Sequence, residues 1–147
     1  MLRRVLAVIV AYILMFILQV AAFMTIYTLM GANWSFKPSS YQASTRWTAM
    51  QFAVVLVTAI IGGLICTAIA KGGRAPLLLA AVVLVLGLGL ALLSTALRPP
   101  ETNEVRTGNV PNMEAMSKAR HPTWVLFLGP VIGAVGVVIG GKVRRRA

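Results

Sequence analysis

Four long stretches of the chain contain no Asp, Glu, Lys, Arg or His, and no other feature constrains the fold as strongly. They are 18 to 26 residues long and cover Val5–Met30, Trp47–Ala70, Ala75–Leu97 and Trp124–Gly141. A spanning helix needs about 20 predominantly apolar residues, and an ionised group at its centre costs about 2.5–3.5 kcal/mol on insertion scales. The pattern therefore predicts an all-α membrane protein, a four-transmembrane-helix bundle in one integral membrane domain. Its spans are expected at about 5–30, 47–70, 75–97 and 123–141.

The basic residues are divided unevenly between the connections, which predicts an orientation. Eight of the 14 Lys and Arg residues, and no acidic residue, lie in three segments: 1–4, 71–74 and 142–147. The other six lie with all three acidic residues in two connections: 31–46 and 98–121. Because Lys and Arg are retained on the cytoplasmic side, we expect both termini in the cytoplasm and the chain in the inner (plasma) membrane of a bacterium.

A cleaved signal peptide is the alternative interpretation of the N-terminus. Arg3 and Arg4 precede an apolar region, and a small-residue cleavage site could lie at 20–22. The apolar run continues to Met30, which is longer than a typical signal core, so a retained first span is favoured.

The net charge of +11 raises the question of nucleic-acid binding. The basic residues flank the apolar stretches instead of forming one stripe, which is unlike a phosphate-backbone interface. We therefore expect no nucleic-acid partner.

Four basic residues lie among the last six of the chain: Lys142, Arg144, Arg145 and Arg146. Near an anionic leaflet each basic side chain contributes about 1 kcal/mol of attraction. We therefore expect these four to contact lipid headgroups while also fixing the topology.

The sharpest motif is a glycine seam in the last apolar stretch, formed by Gly129, Gly133, Gly136 and Gly140. Spacings of four, three and four residues place these glycines on one helix face. Because glycine in a helix interior costs about 1 kcal/mol relative to alanine in water, such a face indicates that another backbone approaches closely.

Two stripes of small residues within the chain could pack against the glycine seam. They lie in the second and third apolar stretches: Ala59, Gly63 and Thr67, and Gly87, Ala91 and Thr95. Packing within the chain is the leading interpretation of the seam. A homo- or hetero-oligomer interface is the main alternative, and a ligand groove is the third.

Three polar side chains lie in the first two apolar stretches: Tyr12, Gln19 and Gln51. Tyr12 and Gln19 share a helix face, whereas Gln19 is expected to lie about 10 Å deeper than Gln51. Hydrogen bonding between helices, worth about 0.6–2 kcal/mol, is the ordinary explanation of such residues. A path for a polar solute is the alternative.

The charge-free stretches lack the groups that build proton relays, intramembrane metal sites and most catalytic centres. Cys66 is the only cysteine, which excludes an internal disulfide and a Cys-x-x-Cys redox pair. His121 is the only histidine, which excludes bis-histidine haem ligation within the chain. A weak metal or acid–base site could combine His121 with the three glutamates: Glu101, Glu104 and Glu114. We regard that site as disfavoured, and we expect no catalytic residue, no metal and no cofactor.

The connection before the last span predicts a short amphipathic helix in the second outer loop. Asn112 can cap it, Glu114 favours its N-terminal end, and Glu114 and Lys118 form an i,i+4 pair. Met113 and Met116 lie on one side, so we expect the helix on the outer membrane surface or against the mouth of the bundle. Around the first outer connection an aromatic cluster predicts an interfacial belt: Trp34, Phe36, Tyr41 and Trp47.

Together these features predict a non-catalytic structural or accessory protein that packs with a partner membrane protein subunit or with itself, surrounded by membrane lipids. The alternative is a small transporter or channel for a neutral or apolar solute, using Tyr12, Gln19 and Gln51. A third hypothesis is an enzyme that acts at the outer surface through His121 and the glutamates.

Overall fold

The computed structural model describes residues 2–71, 73–97, 105 and 107–146, with side chains as far as Arg144. In these residues the chain forms helices and two isolated β-bridges, and no strand. The helices are α1 Leu2–Met30, α2 Ala32–Ser35, α3 Thr45–Ala70, α4 Ala75–Ala96, α5 Asn112–Lys118 and α6 Thr123–Arg146. Four of them, α1, α3, α4 and α6, are long and apolar enough to cross a membrane, which confirms the predicted all-helical architecture with four helices of spanning length.

Three of the four long helices extend beyond their charge-free stretches, whereas α4 ends at Ala96, one residue short. α1 begins at Leu2 and α6 continues to Arg146, because Lys and Arg are good helix formers and need not end a helix. α3 begins earlier than its apolar stretch because Ser44 caps it, with Ser44 Oγ accepting a hydrogen bond from the Trp47 amide at 3.0 Å.

The four long helices pack in the cyclic order α1, α3, α6, α4. The contact between α3 and α6 is the most extensive, followed by those of α4 with α6 and of α1 with α3. α1 and α4 close the ring with a smaller contact. α6 is the most enclosed helix, since 39% of the residues in its most apolar segment are buried, against 17% in α4.

Small side chains dominate the buried core of the bundle. One cluster joins all four long helices: Ala7, Ala11, Met15, Ala59, Cys66, Ala75, Leu79, Ala80 and Val137. Met15 of α1 packs against Gly62 of α3, where a side chain on the glycine would overlap it. Small residues let helix backbones approach closely, and van der Waals contact is the main attraction between helices in lipid.

The bundle has two chemically different ends. At the basic end, formed by the described residues of 2–4, 71–74 and 142–146, Arg3 Nε donates a hydrogen bond to the carbonyl of Ile69 near the end of α3 at 2.8 Å. At the loop end, formed by 31–44 and the described residues of 105–122, the two long connections are joined by backbone hydrogen bonds. The Ala43 amide donates to Arg120 O and the Arg120 amide donates to Tyr41 O, each at 2.9 Å.

Helix α5 covers seven residues of the loop end. Glu114 and Lys118 form the expected i,i+4 ion pair at 3.2 Å. The predicted capping role of Asn112 is wrong, because Pro111 occupies the N-cap position and Asn112 Nδ2 instead donates to Thr28 Oγ1 of α1 at 3.0 Å. The side chain therefore ties α5 to the bundle.

Candidate functional site

The glycine seam lies largely inside the bundle, and its closest contacts are with the backbone of α3. A Cβ on Gly140 would overlap the carbonyl group of Ile60, and one on Gly63 of α3 would overlap the carbonyl oxygen of Val137 of α6. At Gly136 a Cβ would lie 3.0 Å from the carbonyl oxygen of Leu56. Helices α3 and α6 therefore touch backbone to backbone along this line.

The two stripes of small residues have different environments. On α3, Ala59 and Thr67 are buried at 0% and 4% exposure beside Gly63. On α4, Gly87 packs against the ring of Pro130, since a Cβ there would lie 2.6 Å from Pro130 Cγ. Ala91 is also buried, whereas Thr95 is exposed.

The loop-end half of the seam is more open. A Cβ on Gly133 would lie 3.1 Å from Val83 Cγ1 of α4, whereas one on Gly129 would meet no described atom within 4 Å. A Cβ on Gly89 of α4 would likewise meet no described atom within 4 Å, and Gly89 itself is exposed on the surface of the bundle. These two are the glycines of the described spanning helices that contact no neighbouring element at the Cβ position.

The C-terminal basic residues project from the end of α6. Lys142 and Arg144 are exposed, and the side chains of Arg145 and Arg146 lie outside the described part of the chain. The end of α6 therefore presents positive charge beside the other basic connections.

The structure does not bring Tyr12, Gln19 and Gln51 together as one polar line. Tyr12 packs against the small-residue cluster, whereas Gln51 lines a pocket at the loop end. Gln19 is half-buried between these levels, and no hydrogen bond joins the three side chains in the described structure.

The loop-end pocket is a cleft of about 190 Å³ between α1 and α3, partly covered by α5. Its walls come from both long connections and from the ends of both helices: Phe23, Met24, Tyr27, Phe36, Trp47, Gln51, Asn112, Ala115, Met116, Ala119 and His121. The sequence does not predict this site, because its residues come from segments that are far apart in the chain.

Aromatic rings form the main wall of the pocket. The Trp47 ring centroid lies 6.0 Å from that of Phe23 and 6.3 Å from that of Tyr27, whose ring is edge-on to it. Phe36 packs against Tyr27 and is only 4% exposed, and Tyr41 is 8% exposed. The predicted interfacial belt is therefore wrong for Phe36 and Tyr41, because the second long connection covers them.

Side-chain hydrogen bonds hold the cover of the pocket in place. Tyr27 Oη donates to the Val110 carbonyl at 2.8 Å, and Tyr41 Oη donates to Glu114 Oε1 at 3.1 Å. The Lys118 ammonium, paired with Glu114, also lies 5.4 Å from the Tyr41 ring centroid. With the Asn112–Thr28 bond, these contacts fix α5 over the space between α1 and α3.

Gln51 supplies the most informative polar atom of the pocket. Its Oε1 is buried and accepts no hydrogen bond from any described residue. A buried acceptor without a partner costs about 1–3 kcal/mol, so this oxygen is a ready acceptor for a ligand.

The described residues give no support to metal chemistry at the loop end. No group of three His, Cys, Asp or Glu residues among them could hold an ion, and Glu101 and Glu104 lie outside the described part of the chain. The arrangement consists of a close-packed bundle, a basic end, and an aromatic pocket in which Gln51 Oε1 accepts no hydrogen bond from a described residue. No protein-family model matches the chain, and no curated protein or solved structure matches it.

Proposed function

We propose that the chain is a non-catalytic structural or accessory protein of the inner membrane, which associates laterally with a partner membrane protein or a second copy. The observation that carries this proposal is the open environment of Gly89 in the middle of α4. A helix-interior glycine is about 1 kcal/mol less favourable than alanine, and Gly89 makes no compensating contact with another described element. Close approach of a helix from outside the chain would account for it.

The surroundings of Gly89 support an external contact on α4. Large apolar side chains on both sides of it are strongly exposed, with Val85 at 68% and Leu92 at 60%. The opposite side of α4 carries Gly87 and Ala91 and is occupied by the bundle. The contact face we propose comprises Val85, Leu86, Gly89, Leu92 and Leu93.

Single-cysteine cross-linking tests this contact. In a Cys66→Ala background, we expect Leu86→Cys to give one discrete cross-linked species in native membranes, because Leu86 lies beside Gly89 on the proposed face. The mass of that species distinguishes a second copy from a different subunit. The matched control is Ile9→Cys on α1. The native Ile9 side chain is 50% exposed, which is close to the 47% exposure of Leu86.

The control should remain monomeric under the same cross-linking conditions. If Leu86→Cys also remains monomeric, or if both positions give the same ladder of products, the α4 contact is wrong.

We further propose that both termini face the cytoplasm and that the basic end contacts anionic lipid headgroups. This is supported by the convergence of basic side chains from four helix ends, including Arg3, Arg74, Lys142 and Arg144. Positively charged segments are retained on the cytoplasmic side and are attracted to its anionic leaflet. The loop-end pocket and the amphipathic helix α5 would then face the outer side.

Cysteine accessibility in intact spheroplasts tests this orientation. With Cys66→Ala, we expect a membrane-impermeant maleimide to label Met113→Cys, since Met113 is 74% exposed at the loop end. Val143→Cys, whose native side chain is 53% exposed at the basic end, should be labelled only after lysis. The reverse pattern of labelling would show that the topology is inverted.

A small transporter or channel for a neutral or apolar solute has less support. Gln51 lies in a pocket that such a solute could enter, but Tyr12 packs into the small-residue cluster on the other half of the bundle. The pocket thus favours binding at one end of the bundle over passage along it.

A further inference from the structure

The lining of the loop-end pocket selects for an uncharged ligand. Four aromatic rings and two methionines line it together with the imidazole of His121, and the described lining contains no Asp, Glu, Lys or Arg. An ionised ligand would lose its hydration and meet no carboxylate, ammonium or guanidinium group among the described residues. An apolar or weakly polar molecule, in contrast, would pack against the rings.

The volume of the pocket matches one ring with small substituents. Its volume is about 190 Å³. Apolar protein cavities of about 150 Å³ hold a benzene molecule. The pocket therefore has room for a ring with one or two additional heavy atoms, and a larger molecule would have to extend through the opening.

The polar groups of the pocket define where such a ligand would be recognised. Tyr27 Oη and Asn112 Nδ2 already donate to Val110 and Thr28, and these bonds hold the cover in place. Gln51 Oε1 is a buried acceptor that no described group satisfies. A ligand hydroxyl can donate to this oxygen, whereas a ligand without a donor would leave it unsatisfied.

We propose that the loop-end pocket binds an uncharged molecule with a single hydroxylated ring, whose hydroxyl group donates a hydrogen bond to Gln51 Oε1. The ring packs against the aromatic wall formed by Phe23, Tyr27, Phe36 and Trp47. Two sources offer this chemistry: a free phenol-like solute, and the ring head of a membrane-soluble molecule with an apolar tail. The site is separate from the α4 contact face, so either proposal can fail without the other.

Quenching of Trp47 fluorescence tests the binding directly. The full chain is purified in detergent with Trp34→Phe and Trp124→Phe, which leaves Trp47 in the pocket wall as the only tryptophan. We titrate it with 4-bromophenol and with 4-bromoanisole, which has the same ring and halogen but no O–H donor. Quenching should saturate, and the phenol should bind at least about fivefold more tightly than the anisole because only it satisfies the buried acceptor.

Three variants connect the result to the pocket. Gln51→Met keeps the side-chain length but removes the acceptor, so the two probes should then bind equally. Gln19→Met is the matched control on α1 and should leave the fivefold preference unchanged. Ala119→Leu places extra bulk in the pocket lining and should weaken binding of both probes, with the helix content of each variant checked by circular dichroism.

A bromophenol with an octyl tail distinguishes the two sources of the ligand. After correction for micelle partition, tighter binding of the tailed phenol indicates a membrane-soluble molecule, and equal or weaker binding indicates a free solute. The proposal is overturned if quenching by 4-bromophenol rises linearly without saturation, or if folded Gln51→Met keeps the preference for the phenol.

Discussion

Gly140→Ala should force α6 away from α3 and lower the free energy of unfolding by about 2 kcal/mol, within the range of about 1–3 kcal/mol for overpacked cores. The new methyl group would overlap the carbonyl group of Ile60, which is part of a helix backbone and cannot rotate aside. The two helices must therefore separate along their most extensive contact. Unfolding by sodium dodecyl sulfate in mixed micelles, followed by circular dichroism, measures the loss.

Gly129→Ala is the matched control for this prediction. It makes the same chemical change on the same face of α6, but the methyl group would meet no described atom within 4 Å. Alanine also has the higher helix propensity, so this variant should be as stable as the parent chain or slightly more stable. Equal destabilisation by the two substitutions would contradict the backbone contact between α3 and α6.

The second large effect is expected for Leu79→Ala on α4. Leu79 is fully buried at 0% exposure in the cluster that joins the four long helices. Lipid is as apolar as leucine, so the loss comes mainly from the cavity and from missing van der Waals contacts. We expect a decrease of about 2 kcal/mol in the free energy of unfolding, measured in the same micelle titration.

Leu78→Ala provides the control, since Leu78 precedes Leu79 on the same helix and is 51% exposed. Its removal leaves no internal cavity, because detergent or lipid fills the space at the surface. This variant should change the stability by less than about 0.5 kcal/mol, as is usual for surface substitutions. If Leu78→Ala lowered the free energy of unfolding as much as Leu79→Ala does, α4 would have to pack with a different face inward.

The pattern of charges and small residues predicted the helices well. The charge-free stretches located all four spanning helices, because hydrophobic length is a property of each segment alone. Helix ends were less accurate, since Arg3 and Arg4 continue α1 and the Ser44 cap starts α3 two residues before its apolar stretch. Spacing placed four glycines on one face of α6, but it did not show that Gly129 is open while Gly140 touches Ile60.

The loop-end pocket was beyond prediction from spacing. Gln51 was recognised as polar, but its neighbours Phe23 and Met116 come from an earlier helix and a later connection. Phe36 and Tyr41 resemble interfacial aromatic residues in sequence, and only the position of α5 shows that they are covered.

The sequence by itself determined that four uncharged segments form helices of spanning length, because hydropathy and backbone hydrogen bonding act within each segment. It also determined that three connections carry basic but no acidic residues and that all three acidic residues lie in the other two. Only the tertiary structure decided which helices touch, which glycines are enclosed, and that two distant loops close over Gln51. The physical reason is that helix contacts depend on the relative position and rotation of whole segments, which no local pattern specifies.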